Sequence, residues 1–362
     1  MRRISKGLLT SAMVMAVFAT TPALAADYSA GKAVDSAEAA RSLGGKEFTA
    51  RQAKPVPSLK GGISTSRSAA VLDPEAAKKA FTVIGRTHDG KDVRMEPGEK
   101  VLRAISGEAK PEQRGALDPA TTIDPEAGED STARAVVGAD NRIKVSKTTT
   151  YPYTTIGYLE LKNSAGEYLS CSAALIGPST ILTAGNCLYN HSQEGGWFDD
   201  FTFWPAVNGE NDVPYGGFEY DTAYVFEGFI TNYDGSYDSV WPYDIGLITL
   251  QQPVGDSLGW LGYWDYENLG DFQGNLVGYH NDKPAFTMWR STCGVLAEEV
   301  YDNYFLHGCD FDVGGMGAPI YLYDSDAKSR VVVGVNIDGT EEANWALRLD
   351  GPIMEWIQEI NK

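Results

Sequence analysis

Short apolar and aromatic runs recur through the second two-thirds of the chain, each bounded by Gly, Asn, Asp or Pro. Ile156–Leu161, Cys171–Ile176, Phe201–Pro205, Ile245–Leu250, Gly274–Tyr279, Tyr304–His307, Pro319–Tyr323 and Val331–Ile337 all have strand length. Many short strands with frequent turns predict an all-β barrel or sandwich. The stretch from Cys293 to Cys309 is symmetric about Tyr301, which predicts a hairpin with the two sulfurs opposite each other. Helical spacing is convincing only at the end. Pro352 suits a first helical position, and Ile353, Trp356, Ile357 and Ile360 then fall on one face.

The first third has no such pattern. Arg2, Arg3 and Lys6, an apolar run from about Leu8 to Ala19, and Ala23-Leu24-Ala25 read as a secretory signal peptide, residues 1–25. The apolar run is too short for a membrane anchor, and no later segment is predicted to span a bilayer. All eight Trp lie at or beyond Trp197, and between Asp27 and Arg134 the only aromatics are Tyr28, Phe48 and Phe81. Such a stretch buries little, so residues 26–134 read as a loosely ordered pro-segment with one structured patch around Phe81 to Ile105. Residues 135–362 fit one all-β domain, with a cut expected close to Arg134-Ala135.

Charge divides at the same place. Residues 1–134 carry 20 Lys+Arg and 17 Asp+Glu, net +3; residues 135–362 carry 10 and 32, net −22. The acidic body repels phosphates and anionic lipid, which argues against nucleic acid as a partner. The four cysteines, Cys171, Cys187, Cys293 and Cys309, suit disulfides in an exported chain. Three connectivities exist, and the spacing favours the two local loops Cys171–Cys187 and Cys293–Cys309. The alternative is a zinc site, against which stand the lack of C-x-x-C and the scattered histidines. No metal or cofactor is expected.

Three blocks carry a family resemblance. Cys171-Ser172-Ala173-Ala174-Leu175-Ile176 followed by Thr183-Ala184-Gly185-Asn186-Cys187 resembles C-x-x-x-L-I and T-A-G-H-C of the glutamyl endopeptidase (V8-like) branch of the chymotrypsin-fold serine proteases. Tyr243-Asp244-Ile245-Gly246-Leu247-Ile248 resembles the block around that family's catalytic aspartate, and Gly314-Gly315-Met316-Gly317-Ala318-Pro319 resembles its nucleophile loop G-N-S-G-S-P. Val137-Gly138-Ala139-Asp140-Asn141-Arg142 and Gly278-Tyr279-His280-Asn281-Asp282-Lys283-Pro284 are supporting matches. The resemblance implies a trypsin-like double β-barrel with a C-terminal helix.

The family's reaction needs a serine nucleophile, a histidine base and an aspartate that orients the histidine. The resemblance puts Asp244 in the aspartate position, Asn186 in the histidine position and Met316 in the serine position. A carboxamide is not basic near neutral pH, and a thioether has no proton to lose. Gly314 and Met316 would supply the backbone N–H groups of an oxyanion hole. The glutamate-reading histidine becomes Asn336 in Gly334-Val335-Asn336-Ile337-Asp338-Gly339, and a small pocket residue becomes Phe311. Asp244 is expected to pair with Asn186, and Met316 to fill the vacated site. The expected product is a secreted pseudoprotease that binds a protein or peptide partner, with the periplasm as alternative location. Two other readings stay open: an active secreted serine endopeptidase with non-standard catalytic residues, and a structural envelope protein. Trp197, Phe198, Trp204, Tyr233, Tyr237 and Trp241 divide between core and an aromatic surface patch, with core favoured.

Overall fold

Strands whose side chains alternate between a dry and a wet face bury the dry one most completely when the sheet closes on itself. The computed structural model describes residues 44–51, 53–57, 73–108, 113–115, 117, 122–125, 140–191, 196–266, 268–339 and 343–361. The expected signal peptide, the Arg134-Ala135 cut and Val137-Gly138-Ala139 lie outside the described residues. The N-terminal third contributes β1 (Lys54–Pro55), α1 (Pro74–Ala80), β2 (Val83–Thr87), β3 (Asp92–Met95) and α2 (Glu99–Ile105). Three of these fall in the patch expected around Phe81 to Ile105. Asp73 caps α1 by accepting from the N–H groups of Glu75 and Ala76.

After β4 (Ile143–Lys144), the first barrel is built from β5 (Ile156–Lys162), β6 (Tyr168–Leu175), β7 (Thr180–Thr183), β10 (Asp200–Pro205), β11 (Phe218–Phe226) and β12 (Gly246–Leu250). The small pair β8 (Tyr189–Asn190) and β9 (Gly196–Trp197) and the short helix α3 (Glu227–Thr231) interrupt it. The order β10-β5-β6-β7-β12-β11 closes through β10–β11 pairs at Thr202↔Glu219 and Phe203↔Phe218. Six strands joined end to end leave no free edge where they close, and the interior fills with Leu159, Phe203, Val225, Leu247 and similar buried side chains.

The second sheet follows α4 (Gly255–Leu258) and β13 (Gly262–Tyr263). It runs through β14 (Phe272–Tyr279), β15 (Met288–Val295), β16 (Tyr304–His307), β17 (Pro319–Asp324), β18 (Ser329–Gly339) and β19 (Asn344–Arg348). Its order is β16-β19-β18-β17-β14-β15-β4, and β13 pairs with β18. The terminal helix α5 (Gly351–Ile360) is capped by Asp350, whose carboxylate accepts from the Ile353 N–H at 3.3 Å. Its predicted apolar face is buried at Ile353, Trp356 and Ile357. The fold is mostly β, as the strand pattern implied, and trypsin-like, as the resemblance implied.

Two expectations change. β15 and β16 do not form a hairpin: β15 pairs with β14 and β4, and β16 with β19. The chain between them turns through Ala297–Glu299, so sequence symmetry about Tyr301 produces only the small bridge Val300↔Phe305. The aromatic patch is mostly core, since Phe198, Trp204, Tyr237 and Trp241 are buried and only Trp197 and Tyr233 are part-exposed. Both local disulfides are formed, Cys171–Cys187 and Cys293–Cys309. Each closes a loop of 16 residues. Replacing Cys293 and Cys309 together by Ser is therefore expected to lower the unfolding free energy by about 2–4 kcal/mol. A urea midpoint equal to that of the wild type would contradict it.

Candidate functional site

The turn after β7 brings Gly185-Asn186-Cys187 to the rim of the first barrel, where Cys187 is tied back to β6. Trp241–Tyr243 ends in Asp244, just before β12. Val313–Gly315 leads into Met316 and comes from the second barrel. The three resemblance-derived positions therefore meet at the seam between the barrels. All are closed off: Asn186 is 2% exposed, Asp244 0% and Met316 1%.

Asp244 accepts at both oxygens. Oδ1 takes the backbone N–H of Asn186 at 2.7 Å, and Oδ2 takes the hydroxyl of Tyr237 at 2.5 Å. The expected Asp244–Asn186 contact thus exists only through the Asn186 backbone. The Asn186 side chain turns away, with Nδ2 4.0 Å from Met316 Sδ, a weak acceptor. Its buried Oδ1 has no hydrogen-bond partner among the described residues. Burial pushes the Asp244 carboxyl up to about 7, against the Tyr237 and Asn186 hydrogen bonds, with the nearby Asp338 charge adding to the rise. Burial and the Asp244 charge push the Tyr237 phenol well above its ordinary range.

The nucleophile loop is fastened from several sides. Met316 O accepts the Ser172 N–H at 2.9 Å, and Ser172 Oγ donates to Gly314 O at 3.0 Å while accepting from the Tyr279 N–H. Gly317 has φ +78°, and a Cβ there would lie 2.1 Å from Thr183 Oγ1, so only glycine fits this crossing.

Comparison with known proteins gives the same assignment. Residues 144–302 match the Trypsin family. A Bacillus subtilis protein named extracellular metalloprotease is 29% identical over 231 residues, 62% of this chain and 69% of that one. A glutamyl endopeptidase of Bacillus licheniformis is 31% identical over 193 residues, 53% of this chain. The match spans only 56% of the licheniformis protein's own length. A solved Glu endopeptidase, in complex with MPD, superposes with TM-score 0.53 at 25% identity, over 62% of this chain and 99% of that one.

The chain is a trypsin-like serine-protease homologue. The resemblance implies an oxyanion hole of the Gly314 and Met316 N–H groups, and the second of these lies inside a turn. Met316 N–H donates to Val313 O at 3.2 Å and Gly315 N–H to Asp312 O at 2.6 Å, in a tight turn. The N–H expected from Met316 is therefore already engaged inside the loop. The resemblance implies a specificity pocket at Phe311 and Asn336. The Phe311 ring lies against Gly339, where a Cβ would come within 2.5 Å of it, and Phe311 Cβ covers Gly315. Asn336 is fully buried and points into the frame: Nδ2 donates to Gly315 O at 3.1 Å and Oδ1 meets His307 Nε2 at 3.0 Å. Asp338 stands beside this wall, and burial raises its carboxyl to about 6.

No histidine of the homologue is bonded to Asp244 among the described residues. His191 stacks on Tyr233 at 4.3 Å, and burial lowers it to about 4. His280 Nδ1 accepts from the Asp312 N–H at 3.2 Å, and burial lowers it to about 3. His307 is held by Asn336 and is lowered by burial to about 3. His88 packs edge-on against Tyr220. Cys293, His307 and Cys309 bring their ligand atoms within 4.8 Å of one another, but both sulfurs are joined in the disulfide and offer no thiolate. Nothing in the sequence marks Tyr237 as the group that meets Asp244. It precedes the aspartate by seven residues in a segment with no regular period, and only the fold of Tyr237–Ser239 aims its hydroxyl inward.

Proposed function

We propose that this homologue is a catalytically inactive, secreted binding or regulatory protein. The observation that carries the reading is the set of partners at Asp244: a backbone N–H and a tyrosine hydroxyl occupy the oxygens that would orient a histidine. Asn186 supplies no base and Met316 no nucleophile. Loss of such groups leaves only about 10³–10⁴-fold acceleration over water from oxyanion and binding effects. Here the oxyanion N–H of Met316 is also engaged and Phe311 fills the pocket. Export is supported by the two disulfides and the N-terminal sequence pattern. A protein or peptide is the partner class that an acidic trypsin-like surface favours.

The names of the two relatives favour the second reading, an active endopeptidase with non-standard residues. The absence, among the described residues, of any histidine bonded to Asp244 opposes it. The purified protein is expected to show no hydrolysis above background on peptide libraries and no labelling by fluorophosphonate probes. Reproducible cleavage that disappears on mutating Asp244, His191, His280 or His307 would overturn the proposal and leave the fold untouched.

A further inference from the structure

We infer that the described part of the N-terminal third, within residues 44–125, is a permanent partner of the double barrel, which stays bound when the chain is cut anywhere between residues 126 and 139. A disposable segment would touch the body at one weak place. This one grips both barrels and the terminal helix through surfaces that only it completes.

The first is a sheet edge. The barrel closes through β10 and β11 only at Phe218 and Glu219, so Thr222–Phe226 of β11 turns one edge outward. β2 fills that edge over five antiparallel pairs, from Thr222↔Thr87 to Phe226↔Val83. Without β2 the edge would present unpaired N–H and C=O groups to water or to another chain. At a second edge, β1 lies parallel to β6 at Lys54↔Leu169 and Pro55↔Ser170. This is two residues from Ser172, whose N–H holds Met316.

The second feature is charge. Glu160 of β5 is buried, and burial raises its carboxyl; the opposing cations are Arg51 and Lys46, both from the N-terminal third. Loss of those cations would strand the carboxylate in the barrel wall beside Asp200. In the opposite sense, Asp124 of the N-terminal third is buried in a two-bond contact with Arg330 of β18, at 2.7 and 2.8 Å. Arg94–Glu227 at 2.9 Å and Lys46–Glu219 at 2.5 Å repeat the pairing nearer the surface. The +3 and −22 halves are thus matched at specific positions.

The third feature is apolar. Phe81 meets Phe226 and Tyr243 edge-on, directly behind Asp244. Val101 of α2, 1% exposed, packs in the contact between α2 and α5, where Gly98 leaves room for Glu359.

The test uses the full chain with the recognition sequence of a site-specific protease, flanked by Gly-Ser spacers, inserted between residues 126 and 139. After cleavage at about 0.15 M salt, gel filtration is expected to give one peak containing both halves, which separate only in denaturant. An N-terminal half that elutes alone in native buffer overturns the inference. Asp124→Arg and Arg330→Asp are each expected to weaken retention of the cut N-terminal segment at least about a hundredfold, as loss of a buried charge partner does. The double exchange is expected to restore retention; release from the double exchange equal to that of the single variants overturns the part assigned to this pair. Hydrogen exchange on the uncut wild type supplies a readout independent of the insertion. Val83–Thr87 amides are expected to be as protected as those of Thr222–Phe226, and exchange at loop rates overturns the inference.

Discussion

A chain carrying Asn186→His, Met316→Ser and Tyr237→Phe together is expected to react with a fluorophosphonate probe at the hydroxyl introduced at position 316. With Tyr237 retained, the double change at 186 and 316 is expected to react at least about a hundredfold more slowly. The reason lies at Asp244 Oδ2. An imidazole at position 186 needs that oxygen to hold its tautomer, and misorienting the histidine in this way costs up to about 10⁴-fold in the working enzymes. Tyr237 holds the same oxygen at 2.5 Å, with both groups fully enclosed. Each single change leaves an incomplete set, and groups that act as a unit recover little one at a time. The probe is preferred to a peptide because Phe311 lies against Gly339, where the resemblance implies a substrate pocket. Equal labelling of the double and triple variants would remove the role assigned to Tyr237.

Stability is expected to fall as pH rises from about 6 to 8. The Asp244 carboxyl is raised by burial from 3.8 to about 7, Asp350 likewise to about 7, and Asp338 to about 6. A carboxyl whose folded pKa lies above its unfolded value binds its proton more tightly in the native state. Its contribution is complete below about 4 and is lost as pH climbs through the folded value. For a shift near three units the loss is on the order of 1–4 kcal/mol per group. Carboxylates lowered by hydrogen-bonded cations, such as Asp140 beside Arg142 and Glu219 beside Lys46, work the other way and lose their contribution in acid. His191, His280 and His307, lowered by burial to about 4, 3 and 3, oppose the raised carboxyls below about pH 6.5, so the maximum falls near pH 6. Asp244→Asn keeps the shape without the charge and is expected to flatten the alkaline slope in urea unfolding followed from pH 5 to 8. An unchanged slope in that variant would show that Asp244 does not titrate in this range.

Much of the fold was legible because its signals are local. Cys171 and Cys187 flank a strand, a turn and a second strand, so their pairing follows from short chain separation. The blocks around Asn186, Asp244 and Met316 keep the family's spacing, and the structure brings them to one seam. The site's present chemistry was less legible because it rests on contacts between distant segments. Tyr237 is one of 19 tyrosines, and its sequence neighbourhood does not distinguish a core ring from a hydroxyl aimed at a carboxylate. Asn336 matched a specificity residue by position, yet its amide braces Gly315 and His307 because the pocket it would have faced holds Phe311. The N-terminal third looked poor in core-forming residues, and it is. Its attachment depends on backbone pairing and on cations such as Arg51, neither of which leaves an apolar period to read. The hairpin expected about Tyr301 failed because symmetry in sequence says nothing about which neighbouring strand offers a better partner, and β19 won.

Met316 gives the loop a mechanical character. Its carbonyl holds a strand of one barrel, its thioether lies against the Asn186 amide, and Gly317 beside it admits no side chain. A working nucleophile loop must stand open to its substrate and tolerate a reactive group. This one has become a rivet, clamping two barrels with a residue whose own chemical liability is oxidation. At 1% exposure that sulfur is shielded from oxidants unless the seam parts, so the joint is protected by being shut.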